Sequence, residues 1–279
     1  FTDVQFVIED GYQTITPIDV VVVTITGANN TTAYDGEEHT VTGYTATTES
    51  TLYDVESDFT FTPAEDATLV DGVIAAKRTN AGTTNMGLAE DQFTNTNGNF
   101  TDVQFVIEDG YQTITPIGVT VTITGANNTT AYDSEAHTVT GYTATANTSL
   151  YDVTRDFTFT PAADATLVDG VIAATRTDAG TTNMGLAAEQ FANTNGNFAN
   201  VTFEVTDGWQ KINPIDITVT ITGHTDTKDY DGEAHTVTGY DVVISDPLYT
   251  VADFTFTPAA GATLVDGVIA ATRTDAGTT

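Results

Sequence analysis

The chain has 279 residues, of which 40% are hydrophobic, and it contains no cysteine, so disulfides and thiolate metal sites are excluded. Asp and Glu number 39 against 7 Lys and Arg, which gives a formal net charge of −32 at pH 7. A surface this acidic repels nucleic acid and anionic membranes, and no apolar run reaches the ~18 residues that predict membrane insertion.

The chain opens on a segment that returns twice. FTDVQFVIEDGYQTITPI (1–18) recurs without change at 100–117 and in a diverged form, FANVTFEVTDGWQKINPI, at 198–215. In each copy an Asp-Gly pair separates two strand-like runs, which predicts hairpins at Asp10-Gly11, Asp109-Gly110 and Asp207-Gly208. An aromatic residue follows each turn and is expected to cover a core edge or, alternatively, to stack on sugar rings; these residues are Tyr12, Tyr111 and Trp209.

Each segment leads into a strand rich in Thr and Val, such as VTVTITG (119–125) and ITVTITG (217–223). The alternation of β-branched residues with period two predicts a strand with one buried face and one solvent-exposed face. These strands end at glycines spaced by about 98 residues, namely Gly27, Gly125 and Gly223.

The next motif predicts a turn that enters a strand. It reads YDGEEHTVTGY in the first copy, and its Asp is expected to accept a hydrogen bond from the backbone N–H two residues on. Ser134 replaces Gly36 in the second copy, so the sequence leaves open whether this position is left-handed. One histidine per copy is expected to bond this turn, since no second histidine accompanies it to form a metal site or base; these are His39, His137 and His235.

Two further signals complete the repeat. DFTFTP, at Asp58, Asp156 and Asp253, predicts another strand, and ATLVDGVIAA predicts a second chain reversal. The reversals fall at Asp71-Gly72, Asp169-Gly170 and Asp266-Gly267. Only GLAEDQF (87–93) and GLAAEQF (185–191) predict a turn or two of helix.

Many short strands at a spacing of roughly ten residues predict an all-β tandem array of immunoglobulin-like β-sandwich modules of about 98 residues. A β-grasp-like arrangement is the alternative, because a short helical turn falls between strands. We expect each module to begin at the Thr/Val strand and to close with the following Asp-Gly segment. The expected domains are 1–18, the closing strands of a preceding module; 19–116; 117–214; and 215–279, an incomplete third repeat.

The two ends of the chain complement each other in this register. The equivalent of 183–197 would follow Thr279, so we expect the chain to be a window from a longer array. Residues 1–18 could complete the unfinished module of a neighbouring chain by strand addition. The expected partners are therefore further copies of the repeat, in the same chain or a neighbouring one. The expected interface side chains are Phe1, Val4, Phe6, Ile8, Ile15 and Ile18.

Few sequence patterns in this chain indicate metal binding or catalysis. Calcium takes six to eight oxygen ligands, and recurrent carboxylates could supply some of them. The candidates are Asp35, Glu37, Asp133, Glu135, Asp231 and Glu233, against the alternative of a solvated acidic surface. No nucleophile elbow, Gly-rich phosphate loop or EF-hand loop occurs, so we predict no enzyme, no catalytic residue and no other cofactor.

The series ITVTITG, YDGEAHTVTGY, ADFTFTP, TDAGTT and NMGL resembles the MBG-type tandem repeats of large cell-surface proteins in gut Firmicutes, over essentially the whole chain. The resemblance implies an extracellular protein of the bacterial surface or cell wall and carries over no active site. The expected function is a structural repeat segment of a fibre, stalk or adhesin. The alternative is a repeat that binds a glycan or host protein by avidity.

Overall fold

A computed structural model describes residues 1–279. The fold is all-β and is built from several small sheets in a sandwich-like arrangement, which confirms the all-β class predicted from the strand pattern. Its helical residues form 3-10 turns at Glu90–Gln92, Ala188–Gln190 and Val251–Asp253. The first two lie in the segments predicted to be briefly helical. The structure contains no helix that is long and apolar enough to span a membrane.

The strands follow the sequence repeat. In the first part of the chain they are β1 (Val21–Gly27), β2 (Asn29–Ala33), β3 (His39–Thr42), β4 (Tyr44–Thr48), β5 (Phe59–Phe61), β6 (Leu69–Val70), β7 (Val73–Arg78), β8 (Gly82–Asn85), β9 (Phe93–Asn95), β10 (Val103–Glu108) and β11 (Tyr111–Thr115). The next are β12 (Thr120–Gly125), β13 (Asn127–Ala131), β14 (His137–Thr140), β15 (Tyr142–Ala146), β16 (Phe157–Phe159), β17 (Leu167–Val168), β18 (Val171–Arg176), β19 (Gly180–Asn183), β20 (Phe191–Asn193), β21 (Thr202–Thr206) and β22 (Trp209–Asn213). The last are β23 (Val219–Gly223), β24 (His235–Thr238), β25 (Tyr240–Ile244), β26 (Leu264–Val265) and β27 (Val268–Arg273).

The chain forms two compact units. Unit 1 comprises residues 1–123, 144–160 and 188–204, and unit 2 comprises 124–143, 161–187 and 205–279. Strands β12, β15 and β21 form one sheet in the order β15-β12-β21.

Unit 1 holds the sheets β10-β1-β4, β2-β11-β8, β3-β7-β6, β5-β9 and β16-β20. Its first core is built from alternate residues of the strands, as the period-two pattern predicts. Val21, Val23 and Ile25 of β1 are buried, whereas Val22 between them is exposed. They pack with Phe93 and other buried side chains in one hydrophobic cluster. Threonine suits the solvent-exposed face of such strands, because it is both β-branched and polar.

The predicted hairpins at Asp109-Gly110 and Asp207-Gly208 are wrong. β10 pairs in parallel with β1, and β11 pairs in parallel with β2, so the two strands that flank Asp109-Gly110 lie in different sheets and continue in one direction. A two-residue hairpin of type I′ needs positive φ at both central residues. Neither Asp109 nor Gly110 has a positive φ. This Asp-Gly pair is the point where a strand passes from one sheet to another.

Asp71-Gly72 forms the second reversal as predicted. The φ values of Asp71 and Gly72 are 50° and 80°, and Val70 pairs with Val73 across them, as in a type I′ hairpin. The same geometry recurs at Asp169-Gly170 and Asp266-Gly267.

Unit 2 holds the sheets β13-β22-β19, β14-β18-β17, β23-β25 and β24-β27-β26. β23 pairs with β25 alone, although β1, its counterpart in the repeat, has a partner on each side. The consequence is visible in one side chain. Ile221 of β23 is 48% exposed, whereas Ile25 of β1 is completely buried.

Residues 1–16 form no strand, although the identical sequence at 100–115 forms β10 and β11. The hairpin predicted at Asp10-Gly11 is therefore absent. Ile18 makes an isolated parallel bridge with Phe100. The predicted interface side chains are exposed along this segment; they are Phe1, Val4, Phe6, Ile8, Ile15 and Ile18.

Candidate functional site

A parallel ladder joins the two ends of the first repeat (19–116), and we call each such repeat a segment from here on. β1 pairs with β10 from Val21↔Val103 to Thr26↔Glu108, and β2 pairs with β11 from Asn29↔Tyr111 to Thr115↔Ala33. We call these two pairings together the closing ladder. In the next segment β13 and β22 pair in parallel in the equivalent register. The ladder connects strands separated by most of a repeat, so it forms only when a whole segment is folded.

Side chains reinforce the closing ladder. Thr26 Oγ1 donates to the Glu108 carboxylate at 3.1 Å, and Asn30 Nδ2 donates to Gln112 Oε1 at 3.2 Å. The amide of Gln112 is fully buried and donates to the backbone O of Thr113, so its hydrogen-bonding groups are satisfied. Asn128 and Gln210 repeat the amide pair at 3.2 Å in unit 2.

β1 and β10 lie in one sheet and continue into β2 and β11 of another sheet. Glycines at this crossing allow the two backbones to approach closely. A Cβ on Gly27 would overlap the backbone of Gly110, and a Cβ on Gly110 would overlap the carbonyl O of Ala28 and lie 2.6 Å from Met86 Sδ. The carboxylate of Asp109 accepts hydrogen bonds from the backbone N–H groups of Gly87 and Leu88. Asp109-Gly110 thus tethers a loop and permits close backbone approach, and neither role requires a reversal.

Unit 1 contains a second contact, which lies beyond the end of the closing ladder along the chain and joins Asn197 to residues 80 and 81. Asn197 Oδ1 accepts a hydrogen bond from Ala81 N at 2.7 Å, and Asn197 Nδ2 donates to Asn80 Oδ1 at 3.0 Å. The ring of Phe198 lies between two tyrosines, with centroids 5.6 Å from Tyr34 and 4.9 Å from Tyr151, both edge to face. We call these six residues the junction, because they join the first segment to the second.

An arginine missed by the sequence analysis shapes the loop that reaches the junction. Arg78 donates from Nε to Asn80 O at 2.8 Å and from Nη2 to Ala81 O at 2.8 Å. Its Nη1 donates to Thr84 Oγ1. Arg176 and Arg273 occupy the same position in the other copies. The signal was present in the sequence, since three of the few basic residues recur at one position.

Unit 2 has a cavity of about 310 Å³ at the positions equivalent to the junction. Tyr132 corresponds to Tyr34, and Tyr249 corresponds to Tyr151. The cavity is lined by Tyr132, Asp178, Ala179, Pro214, Ile215, Ile217, Leu248 and Tyr249.

The calcium candidates lie in the predicted turns. Asp133 Oδ1 accepts a hydrogen bond from Glu135 N at 2.9 Å, as predicted, and the carboxylate also bonds His137 Nε2. The backbone bond from Glu135, followed by the bond with His137, holds the Asp133 pKa below its ordinary value of 3.8. The equivalent bonds join Asp35, Glu37 and His39, and Asp231, Glu233 and His235.

The structure contains no group of three or more His, Asp or Glu side chains arranged to hold a metal ion. Calcium binding by the turn carboxylates stays a prediction. The recurrent histidines bond their turns, which is the structural role expected of them. Tyr111 and Trp209 are half-buried, and Tyr12 is exposed.

In comparisons with known proteins, no family model, no curated protein and no solved structure matches this chain.

Proposed function

We propose that the chain is a structural repeat segment of a bacterial extracellular fibre, stalk or adhesin, built from immunoglobulin-like modules of the MBG-repeat type. The observation that supports this function is the closing ladder. The chain enters the first segment at the start of β1 and leaves it at the end of β11. Because the paired strands are parallel, these two points lie at opposite ends of the ladder.

The direction of the strands decides how the segment resists tension. A pull along the chain draws the two sides of a parallel ladder in opposite directions along their length. The ladder hydrogen bonds are then loaded together in shear, whereas a hairpin pulled from its open end loses them one at a time. A polypeptide that must hold an object away from a surface benefits from this arrangement. The charge of −32 also opposes lateral clumping of neighbouring fibres.

Single-molecule stretching of the 279-residue chain tests this function. We expect one high-force unfolding event for each of the first two segments. Each event should release about 95 residues, which amounts to roughly 330 Å of extended chain.

A proline variant links the force to the closing ladder. Val21 N donates to Asp102 O at 2.8 Å, so the alternation of a parallel ladder also directs the N–H of Val106 toward β1. Val106→Pro removes that donor and should destabilise the first segment by about 1–3 kcal/mol and lower one of the two unfolding forces.

The matched Val106→Thr variant keeps the β-branched shape and the N–H, so both forces should be unchanged. If both segments of the parent chain extend at low force without discrete events, the proposed mechanical role is wrong. If a chain that extends at low force binds a glycan or host protein, that result would favour the alternative function, a repeat that binds its ligand by avidity.

A further inference from the structure

We propose that the outer faces of the sheets β2-β11-β8 and β13-β22-β19 each bind a neutral, β-linked glycan, which stacks on Tyr111 in the first sheet and on Trp209 in the second. This inference goes beyond the proposed mechanical function, because a fibre can resist tension with no ligand bound. The feature that would recognise the glycan is an aromatic ring with an asparagine on each side.

The two rings lie on the solvent side of their strands. Successive side chains of a strand point to opposite faces, and in β11 Gln112 and Ile114 point into the core, where they are completely or almost completely buried. Tyr111 therefore points outward and is partly exposed. The same alternation in β22 leaves Trp209 partly exposed on the outer face.

Each ring has an asparagine beside it on both neighbouring strands. Tyr111 pairs with Asn29 of β2 and with Asn85 of β8. Paired residues project to the same face, and neighbouring strands lie ~4.8 Å apart, so the ring and the two amides form one row across the sheet. The equivalent row of the second segment consists of Asn127, Trp209 and Asn183.

The polar groups of both rows are unused within the protein. All four asparagines are exposed, and their side-chain amides form no hydrogen bond to another residue. The same holds for the hydroxyl of Tyr111 and for Nε1 of Trp209. Tyrosine and tryptophan usually find a hydrogen-bond partner where they are buried, and they are enriched at interfaces because one end is apolar and the other polar. Each row thus presents an apolar ring between unused donors and acceptors.

A comparison of the two segments separates the ring from its surroundings. On the same face, two residues further along the strand, Thr113 of β11 is replaced by Lys211 in β22. This outer position therefore differs in charge and length between the segments, whereas the position of Tyr111 is aromatic in both. Strand propensity alone would be met by threonine at either position. The ring therefore indicates a contact that requires an aromatic group.

The chemistry of the rows defines the class of ligand. A pyranose with equatorial hydroxyl groups has a flat face of C–H groups that stacks on an aromatic ring. Its hydroxyl groups lie at the edges, where they can donate to and accept from the flanking amides, which also do both. No side chain of either row is charged, and the net charge of −32 repels acidic polysaccharides. A flat sheet face also suits an extended β-linked chain better than a coiled α-linked one.

Fluorescence of the 279-residue chain tests the proposal directly, because its single tryptophan lies in the second row. We expect cellohexaose, a neutral β-1,4-linked glucose oligomer, to change the emission of Trp209 and to protect it from quenching by acrylamide. Maltohexaose, the α-linked isomer, should bind at least about fivefold more weakly, because its coiled chain cannot lie flat on the row.

Two substitutions of Trp209 separate stacking from packing. Trp209→Leu keeps an apolar side chain on the sheet but has no ring, so calorimetry with cellohexaose should show binding at the first row and none at the second. Trp209→Tyr reproduces the ring of the first row and should retain both sites. Melting temperatures within about 3 °C of the parent would show that both variants are folded.

The asparagines provide variants with matched controls. Asn127→Ala and Asn183→Ala should each weaken the protection of Trp209 by about three- to tenfold, the effect of one lost hydrogen bond. Asn85→Ala removes the same group from the first row and should leave the Trp209 titration unchanged. Lys211→Thr should change the Kd by less than about twofold, because a neutral glycan needs no cation.

A parent chain that does not bind cellohexaose would overturn the proposal, as would protection of Trp209 that Asn127→Ala and Asn183→Ala leave unchanged. Binding of hexagalacturonate as tight as that of cellohexaose, lost in Lys211→Thr, would show an ion pair with Lys211 and reject the neutral class. The proposed fibre function is judged separately, by stretching the chain without ligand. High-force events in a chain that binds no glycan reject this inference and leave the fibre function intact.

Discussion

The turn that precedes β3 recurs before β14 and β24, and in one of these three copies a residue other than glycine is left-handed. Gly36, Ser134 and Gly232 have φ values of 85°, 66° and 84°. The sequence could not decide this conformation, because serine at one of the three positions suggests that glycine is not required. A left-handed conformation costs an L-residue about 1–2 kcal/mol, and serine bears this cost within a turn fixed by Asp133 and His137.

We therefore expect Ser134→Gly to stabilise the chain. Glycine loses more chain entropy on folding than serine, so the net gain should be about 0.5–1 kcal/mol. Thermal unfolding of the full chain measures it. The reciprocal Gly36→Ser variant should be destabilised by a similar amount, and a rise in its melting temperature would contradict the explanation.

Gly110 is required for a different reason, since its φ is not left-handed. In Gly110→Ala the new Cβ would overlap the carbonyl O of Ala28 and crowd Met86. Overpacking of this kind typically costs about 1–3 kcal/mol, and urea unfolding should show a loss in that range. Gly98→Ala is the control, because nothing lies within 4 Å of a Cβ at Gly98 and its φ is not left-handed. Equal behaviour of the two variants would disprove close strand approach at Gly110.

The turn aspartates make stability depend on acid pH. Hydrogen bonds from Glu135 and His137 lower the Asp133 pKa below 3.8 in the folded chain, so the folded state binds fewer protons than the unfolded state in this range. The stabilisation is complete above the unfolded pKa and is lost as pH falls through the lower folded pKa. Asp133→Asn cannot titrate, so its stability deficit relative to the parent should shrink between about pH 5 and pH 2. Urea titrations at fixed pH measure the deficit, and a constant deficit would show that this carboxylate is not responsible.

At the scale of elements, the same dipeptide forms two different structures. Asp71-Gly72 closes a hairpin, and Asp109-Gly110 carries a strand from one sheet to the next. Local sequence could not distinguish them, because runs that contain β-branched residues flank both. The difference is decided by β1 and β2, which pair with β10 and β11 from far away in sequence. Most strand positions and two of the three 3-10 turns were predictable from period and composition. The strand predicted at Asp253 is absent, because Val251–Asp253 forms a 3-10 turn and no strand follows before Leu264. Strand partners were not predictable.

The arginine loops offer a test at this scale. The Arg78 guanidinium donates to four separate groups in its loop through a planar fork that lysine lacks. Arg78→Lys should destabilise the first segment by about 1–3 kcal/mol and loosen the loop that presents Ala81 to Asn197. Amide hydrogen exchange of residues 79–84 should rise with the loss in stability.

The adjacent Lys77 provides the control. Its exposed ion pair with Glu38 is of the kind that contributes little, and threonine occupies the position in the other copies. Lys77→Thr should therefore change stability by less than about 0.5 kcal/mol. If both variants behave alike, the loop does not depend on the guanidinium fork.

At the scale of the whole molecule, charge is the dominant feature. With 39 acidic and 7 basic residues, self-repulsion opposes the compact state. Sodium chloride should raise the melting temperature by screening this repulsion. Calcium chloride at matched ionic strength tests the predicted turn sites, because coordination would add a further increase, and an equal melting temperature would count against those sites. The acidic composition predicted the repulsion, but not the junction, since the contact of Asn197 with Asn80 and Ala81 depends on folding of two segments.

The closing ladder also sets an order in time. During synthesis β1 emerges long before β10, and about 80 residues at 5–20 residues per second correspond to a wait of roughly 4–16 s. Residues 1–18 carry the same sequence as the awaited strands and emerge before β1. They cannot take that place on their own β1, because parallel strands need a connection of about a dozen residues and only Asp19 and Val20 intervene. The parallel topology therefore protects a repetitive chain from pairing with the wrong copy of its own sequence while it is being made.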